Sequence, residues 1–162
     1  MPARSLEKGR PAHGIARAAR SLGHVKGGLS VKARNLEFAR SYLGAIESGV
    51  AGETLGAFFA FGVEFVVFRS PLLPKGDWHK VAGALEGAER GRELMAGQKY
   101  LITNEMAEGG QAALEVEWTG TLAVSFRSLP SGSQRKALLR DVPGVRGGKD
   151  LRQRNYDCFE RW

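Results

Sequence analysis

Glu115 and Glu117 stand in the middle of QAALEVEWTGTLAV (111–124), alternating with Leu114, Val116 and Trp118. Carboxylates two residues apart share one face of a strand and could act as general bases if that face lined an enclosed site. The opposite face also carries Leu122 and Val124, so it claims the interior. The glutamates are expected outside, beside Thr119 and Thr121. Other reactive side chains are sparse. His13, His24 and His79 are scattered and Cys158 is the single cysteine, so no metal site is expected. One cysteine excludes an internal disulfide and fits a reducing cytoplasm, the expected location. No glycine-rich phosphate loop follows a strand, and no cofactor is expected.

The elements around this segment can be read from periodicity. Alternation over 14 residues predicts a half-buried antiparallel strand, longer than the usual five or six or so, and bent at Gly120. QKYLITNEM before it forms the other arm of a hairpin, with AEGG as the turn. Leu36, Ala39, Leu43 and Ile46 recur at helical spacing and predict a first helix over 33–48, stopped by Gly49. A short second helix is expected over 53–60, and a buried strand over 63–68. Asp77 is placed as the cap of a third helix that runs to about Met95, with Val81, Leu85, Ala88 and Met95 inward. LRQRNYDCF forms a last strand, and Arg146-Gly147-Gly148 is better explained as a turn than as an RNA-associated tripeptide. Helices first and a meander after them make an α+β chain in the order α-α-β-α-β-β-β-β, not a βαβ repeat.

The formal net charge of +7 suggests nucleic acid until it is divided along the chain. Residues 1–34 hold eight Lys/Arg and one acid, and the remaining residues hold sixteen of each. The excess belongs to an arm, residues 1–32, which lacks aromatics and is expected to be disordered. That arm can be read as an upstream extension without a role, as a targeting peptide, or as a phosphate-binding tail. A start at Val31 would leave the folded domain, 33–162, intact. No apolar run approaches the roughly 18–20 residues needed to cross a bilayer, so no membrane partner is expected, and nucleic acid is disfavoured.

With these pieces in place, the chain resembles the nuclear transport factor 2-like superfamily, in its SnoaL-like and ketosteroid-isomerase-like branch. The matching segments are ARSYLGAIESG, TLGAFFA followed by VEFVVF, GALEGAERGRELMAG, EVEWTGTLAV and GKDLRQRNYDCFERW. They cover 33–162. The resemblance implies a cone, a strongly curved, mostly antiparallel sheet wrapped around three helices, with a pocket for a small apolar molecule and often a homodimer. It also implies site residues. The oxyanion tyrosine of the isomerases falls on Tyr42, seven residues before Gly49. Their aspartate base falls on Val67, which cannot take a proton, and Glu64 faces the other side of that strand. The acid/base aspartate of the SnoaL-like cyclases falls on Asn155, an amide that cannot exchange protons near neutral pH. Asp157 lies two residues on, on the same face, and stands in as the replacement; Tyr156 points away. Phe58, Phe59 and Trp118 are expected as wall or supporting core.

One segment breaks the pattern. The resemblance requires a long inner strand where the chain reads KALLRDVPGVRGG, and Pro143 removes a ladder donor there. Codons for Arg-Asp-Val-Pro-Gly-Val, shifted by one base, can encode Ala-Met-Phe-Leu-Glu. Residues 138–148 are therefore expected to be a locally frame-shifted strand that has lost a third polar site. The sequence thus favours a small apolar-ligand pocket protein, an isomerase or cyclase relative with degraded catalytic machinery, and leaves open whether it is an enzyme. The alternative is a non-catalytic ligand-binding or dimerisation module.

Overall fold

A computed structural model describes residues 29–160. Of the expected arm, residues 1–28 lie outside the described residues. The remainder includes Ser30, whose hydroxyl accepts from the Ala33 N–H, and the first turn of helix α1, Val31–Glu47. The first helix therefore begins two residues earlier than expected. Helix α1 buries Asn35, Ala39, Tyr42 and Leu43, and is followed by the five-residue α2, Gly52–Gly56.

Strand β1, Phe59–Val67, starts earlier than its apolar run suggests. It contains a bulge: the register to its neighbour shifts between Phe59 and Glu64, Gly62 has φ +77°, and Phe61 is fully exposed. Only glycine takes that φ readily, so Gly62 lets the strand resume its alternation with Val63 and Phe65 inward. The next segment corrects the sequence reading. Asp77 is not a helix cap but opens a short strand, β2 (Asp77–His79), paired antiparallel to β1. Helix α3 is Val81–Leu94, starts after Lys80, and packs Ala84, Leu85 and Ala88 against the core, with Val81 left exposed. Gly97 does not end this helix but already belongs to the next strand.

Four long strands follow: β3 (Met95–Glu108), β4 (Gln111–Leu122), β5 (Gln134–Arg146) and β6 (Lys149–Phe159). The six form one curved sheet in the order β2-β1-β6-β5-β4-β3, with β1 parallel to β6 and every other pair antiparallel. This is the expected α+β architecture with one extra short edge strand. Strand β4 alternates as its sequence requires, with Leu114, Val116, Trp118 and Leu122 buried and Glu117 exposed; Val124 lies beyond the strand and is exposed. Glu115 reaches Arg140 on the outer face.

The segment expected to be broken is a continuous strand. In β5, Ala137, Asp141, Pro143 and Val145 are buried with Leu139 on the same side, while Leu138 and Arg140 point outward. Toward β4, Asp141 pairs with Leu114 and Gly144 with Gln111, with no paired residues between them. The missing proline N–H falls in that gap and costs no ladder bond. Pro143 still has a partner in β6, Gln153. With the strand intact, the observation that motivated a frame shift is gone.

Two apolar clusters hold the helices inside the curve. Ala39 and Leu43 pack on Ala112, Leu114 and Val116, and Tyr42 packs with Leu55, Phe59, Val63 and Phe65. Among the described residues, no helix is long and apolar enough to cross a membrane.

Candidate functional site

Period-two geometry brings the inward side chains of β5 and β6 into register. Asp141 faces Asn155, Leu139 faces Asp157, and Pro143 faces Gln153. Asp141 and Asp157 are therefore diagonal neighbours, with roughly 7 Å between Cβ atoms in a regular sheet. Both line a cavity of about 270 Å³. Its other walls come from Tyr42 on α1, Gln98 and Tyr100 on β3, Trp118 on β4, and Leu72 from the proline-rich loop after β1. A wider adjoining space of about 380 Å³ lies toward the end of α1 and the face of α3, and shares Ile46, Met95, Gln98 and Tyr100. Its carboxylate, Glu47, already accepts from the Tyr100 backbone N–H. The titratable chemistry sits in the smaller space.

Burial sets the charge state there. Asp141 is pushed up to about 7, chiefly by loss of solvent and secondarily by the charges of Asp157 and Asp150. Burial also raises Asp157 to about 6. The hydroxyls of Tyr42 and Tyr100 are raised by burial and by Asp141, so both stay protonated and can donate; Gln153 offsets part of the shift at Tyr42. Asp150 is also raised to about 6 by burial, but its Oδ1 accepts from the Gly144 and Arg152 N–H groups, where it closes a bulge between β5 and β6. One wall thus holds two carboxyl groups that change charge near neutral pH beside protonated hydroxyl donors, the combination that moves protons to and from carbon or oxygen.

Of the residues singled out in the sequence, Tyr42, Trp118, Asn155 and Asp157 line this cavity together. Phe58 and Phe59 do not line it; each packs its ring 5.6 Å from that of Tyr42 and supports it from behind. Val67 is outside it too, one strand over, paired with Asn155. Tyr156 points away and stacks on Phe68, with ring centroids 4.3 Å apart. His79 stacks on Phe65 and bonds Asp77, away from the cavity. Among the described residues, no three His, Cys, Asp or Glu side chains are grouped to hold a metal. Sequence reasoning missed Asp141, Gln153 and Gln98. Asp141 was detectable: Ala137, Leu139, Asp141, Pro143 and Val145 alternate as cleanly as β4 does.

No protein-family model matches the sequence, and neither does any curated protein. Solved structures do match in shape. A candidate polyketide cyclase from Xanthomonas campestris pv. campestris superposes with a TM-score of 0.66 at 19% identity, over 78% of this chain and 92% of that one. A candidate SnoaL-like polyketide cyclase from Jannaschia sp. CCS1 gives 0.65 at 12% identity, over 80% and 89%. A protein of ketosteroid isomerase-like fold from Catenulispora acidiphila, solved with trimethylamine, gives 0.59 at 16%, over 74% and 84%. Three helices and a curved six-stranded mixed sheet, alike in shape to these structures, give this chain the nuclear transport factor 2-like fold in its SnoaL-like and ketosteroid-isomerase-like form.

Proposed function

We propose that this chain binds a small, flat, largely apolar carbonyl compound and transfers a proton at the carbon beside the carbonyl, as an isomerase or cyclase relative. The observation that carries this reading is the pairing of Asp141 and Asp157 on one buried wall, each raised toward neutrality. An ionised carboxylate there takes the α-proton, the electron pair moves onto the carbonyl oxygen, and a protonated hydroxyl such as that of Tyr42 steadies the enolate. The same carboxyl group then returns the proton to carbon. The losses at Val67 and Asn155 do not remove acid/base capacity, because Asp141 and Asp157 supply it from neighbouring positions. The likeness in shape to polyketide cyclases supports the substrate class. Two copies of the chain as a homodimer, and a cytoplasmic location, fit this reading.

The test is exchange of the α-hydrogens of 2-tetralone in deuterated buffer, followed by NMR. Catalysis predicts exchange well above buffer that falls at least a hundredfold in Asp141→Asn, the usual worth of a positioned acid/base group. The second reading, a non-catalytic binding or dimerisation module, is favoured by Val67 and Asn155, which cannot exchange protons at the two positions where the family resemblance implies carboxylates. It predicts binding of 2-tetralone with exchange at the buffer rate.

A further inference from the structure

Gln98 sits where the two cavities meet, at the β3 end of the space that Asp141 and Asp157 close at the other end. Its Oε1 accepts two hydrogen bonds, from the Trp118 indole N–H at 3.0 Å and from the Tyr100 hydroxyl at 3.1 Å. An indole N–H can only donate, so the amide oxygen must face Trp118 and the amide cannot flip. Its acceptor capacity is used up. The amide nitrogen is left with two hydrogens, no protein partner among the described residues, and an open cavity beside it.

We infer that Gln98 is a second donor, beside the Tyr42 hydroxyl, to the ligand's acceptor oxygen, a carbonyl or an enolate, through its amide Nε2. Trp118 and Tyr100 are positioning residues that hold the amide in this one orientation. Packing supports the arrangement. The indole lies against Gly120, where any side chain would displace it, and its outer edge is covered by Phe159 at a centroid distance of 5.7 Å. The neighbouring hydroxyl of Tyr100 stays protonated, so it continues to donate to Gln98. Gln98 on β3 faces Asp141 and Asp157 on β5 and β6 across one cavity, so a flat ligand held between them has its oxygen turned toward β3 and the adjacent acidic C–H toward β5 and β6. This inference rests on the proposed small-molecule pocket and specifies which end of the ligand binds where.

Gln98→Glu tests it cleanly. The carboxylate is nearly isosteric and still accepts from Trp118 and Tyr100, but it presents an acceptor where the amide presented a donor. The probes are 2-tetralone and its hydrocarbon counterpart tetralin, measured on the full chain. The expected result is a roughly tenfold loss of 2-tetralone affinity in Gln98→Glu, with tetralin changed less than twofold. The infrared carbonyl band of bound 2-tetralone, single and shifted down in the parent protein, should move back toward its position in hexane. If Gln98→Glu does not fold, Gln98→Met removes the donor without adding charge and should give the same band shift. An unchanged band and affinity in the variant would overturn the role of Gln98 while leaving the pocket standing. Failure of both probes to bind the parent protein would overturn the pocket reading and this inference with it.

Discussion

Asp141 and Asn155 are direct cross-strand partners, so the amide that cannot titrate stands beside a carboxyl group that can. The sign of the resulting pH dependence is fixed by that carboxyl group. Its folded value, about 7, lies above the ordinary 3.8, so the native state holds a proton that the unfolded chain releases. The cost is absent at pH values below 3.8, grows as the pH rises toward 7, and is complete above that. Asp150 and Asp157 act in the same direction over a narrower window, up to about 6. The protein should therefore melt higher at pH 5 than at pH 8. Asp141→Asn should narrow the difference, gaining roughly 1–3 kcal/mol at pH 8. Thermal melts of both proteins at the two pH values are the check, and an equal spread would mean that Asp141 is not protonated in the fold.

Tyr42→Phe separates a ligand contact from a packing role. The ring keeps its contacts with Phe58 and Phe59, so the fold should hold. Loss of the hydroxyl should weaken 2-tetralone binding by about 1 kcal/mol or somewhat more, read by titration. Unchanged binding would take Tyr42 out of the site.

Two glycines should respond in opposite directions to alanine. At Gly120 an added Cβ would lie 2.5 and 2.7 Å from the Trp118 indole, so the ring that donates to Gln98 would have to shift. Gly120→Ala should cost about 1–3 kcal/mol and shift the NMR signal of the indole N–H. Gly44 lies inside α1, and a Cβ there would meet nothing within 4 Å. Gly44→Ala should stabilise the protein by about 0.5–1 kcal/mol through helix propensity alone. A loss of stability in that variant would mean that the exposed face of α1 is covered by something else in solution.

Leu114→Ala probes the packing of α1 on the sheet. The side chain is almost fully buried between α1 and β4, opposite Asp141, and its removal should cost about 2–5 kcal/mol. A cost below 1 kcal/mol or so in denaturant unfolding would mean that the helices do not pack inside the sheet as described.

The sequence carried the fold through long periodic elements, the alternation of β4 and the helical spacing of α1, whereas Tyr42 was singled out only by the family resemblance. It was silent on β2, because three residues of strand cannot show a period and Asp77 is as good a helix cap as it is a strand start. Asp141 was hidden for a different reason. The rule that proline ends a central strand is a statement about ladder bonds, and whether Pro143 breaks any depends on which residues of β4 lie opposite it. That is a tertiary fact. Gln98 was illegible for a similar reason, since its value as a donor exists only when Trp118 and Tyr100 have taken up its oxygen.

The last described strand lies in the middle of the sheet. Between β1 and β6 come some eighty residues of chain, and until β6 docks, both β1 and β5 present open edges. Such long-range closure is slow, and exposed edges in the meantime invite pairing with other chains. The site shares this timing, because Gln153, Asn155 and Asp157 all arrive on that strand. Soluble yield, chaperone demand and acquisition of activity should therefore all be governed by one late kinetic event, the insertion of β6.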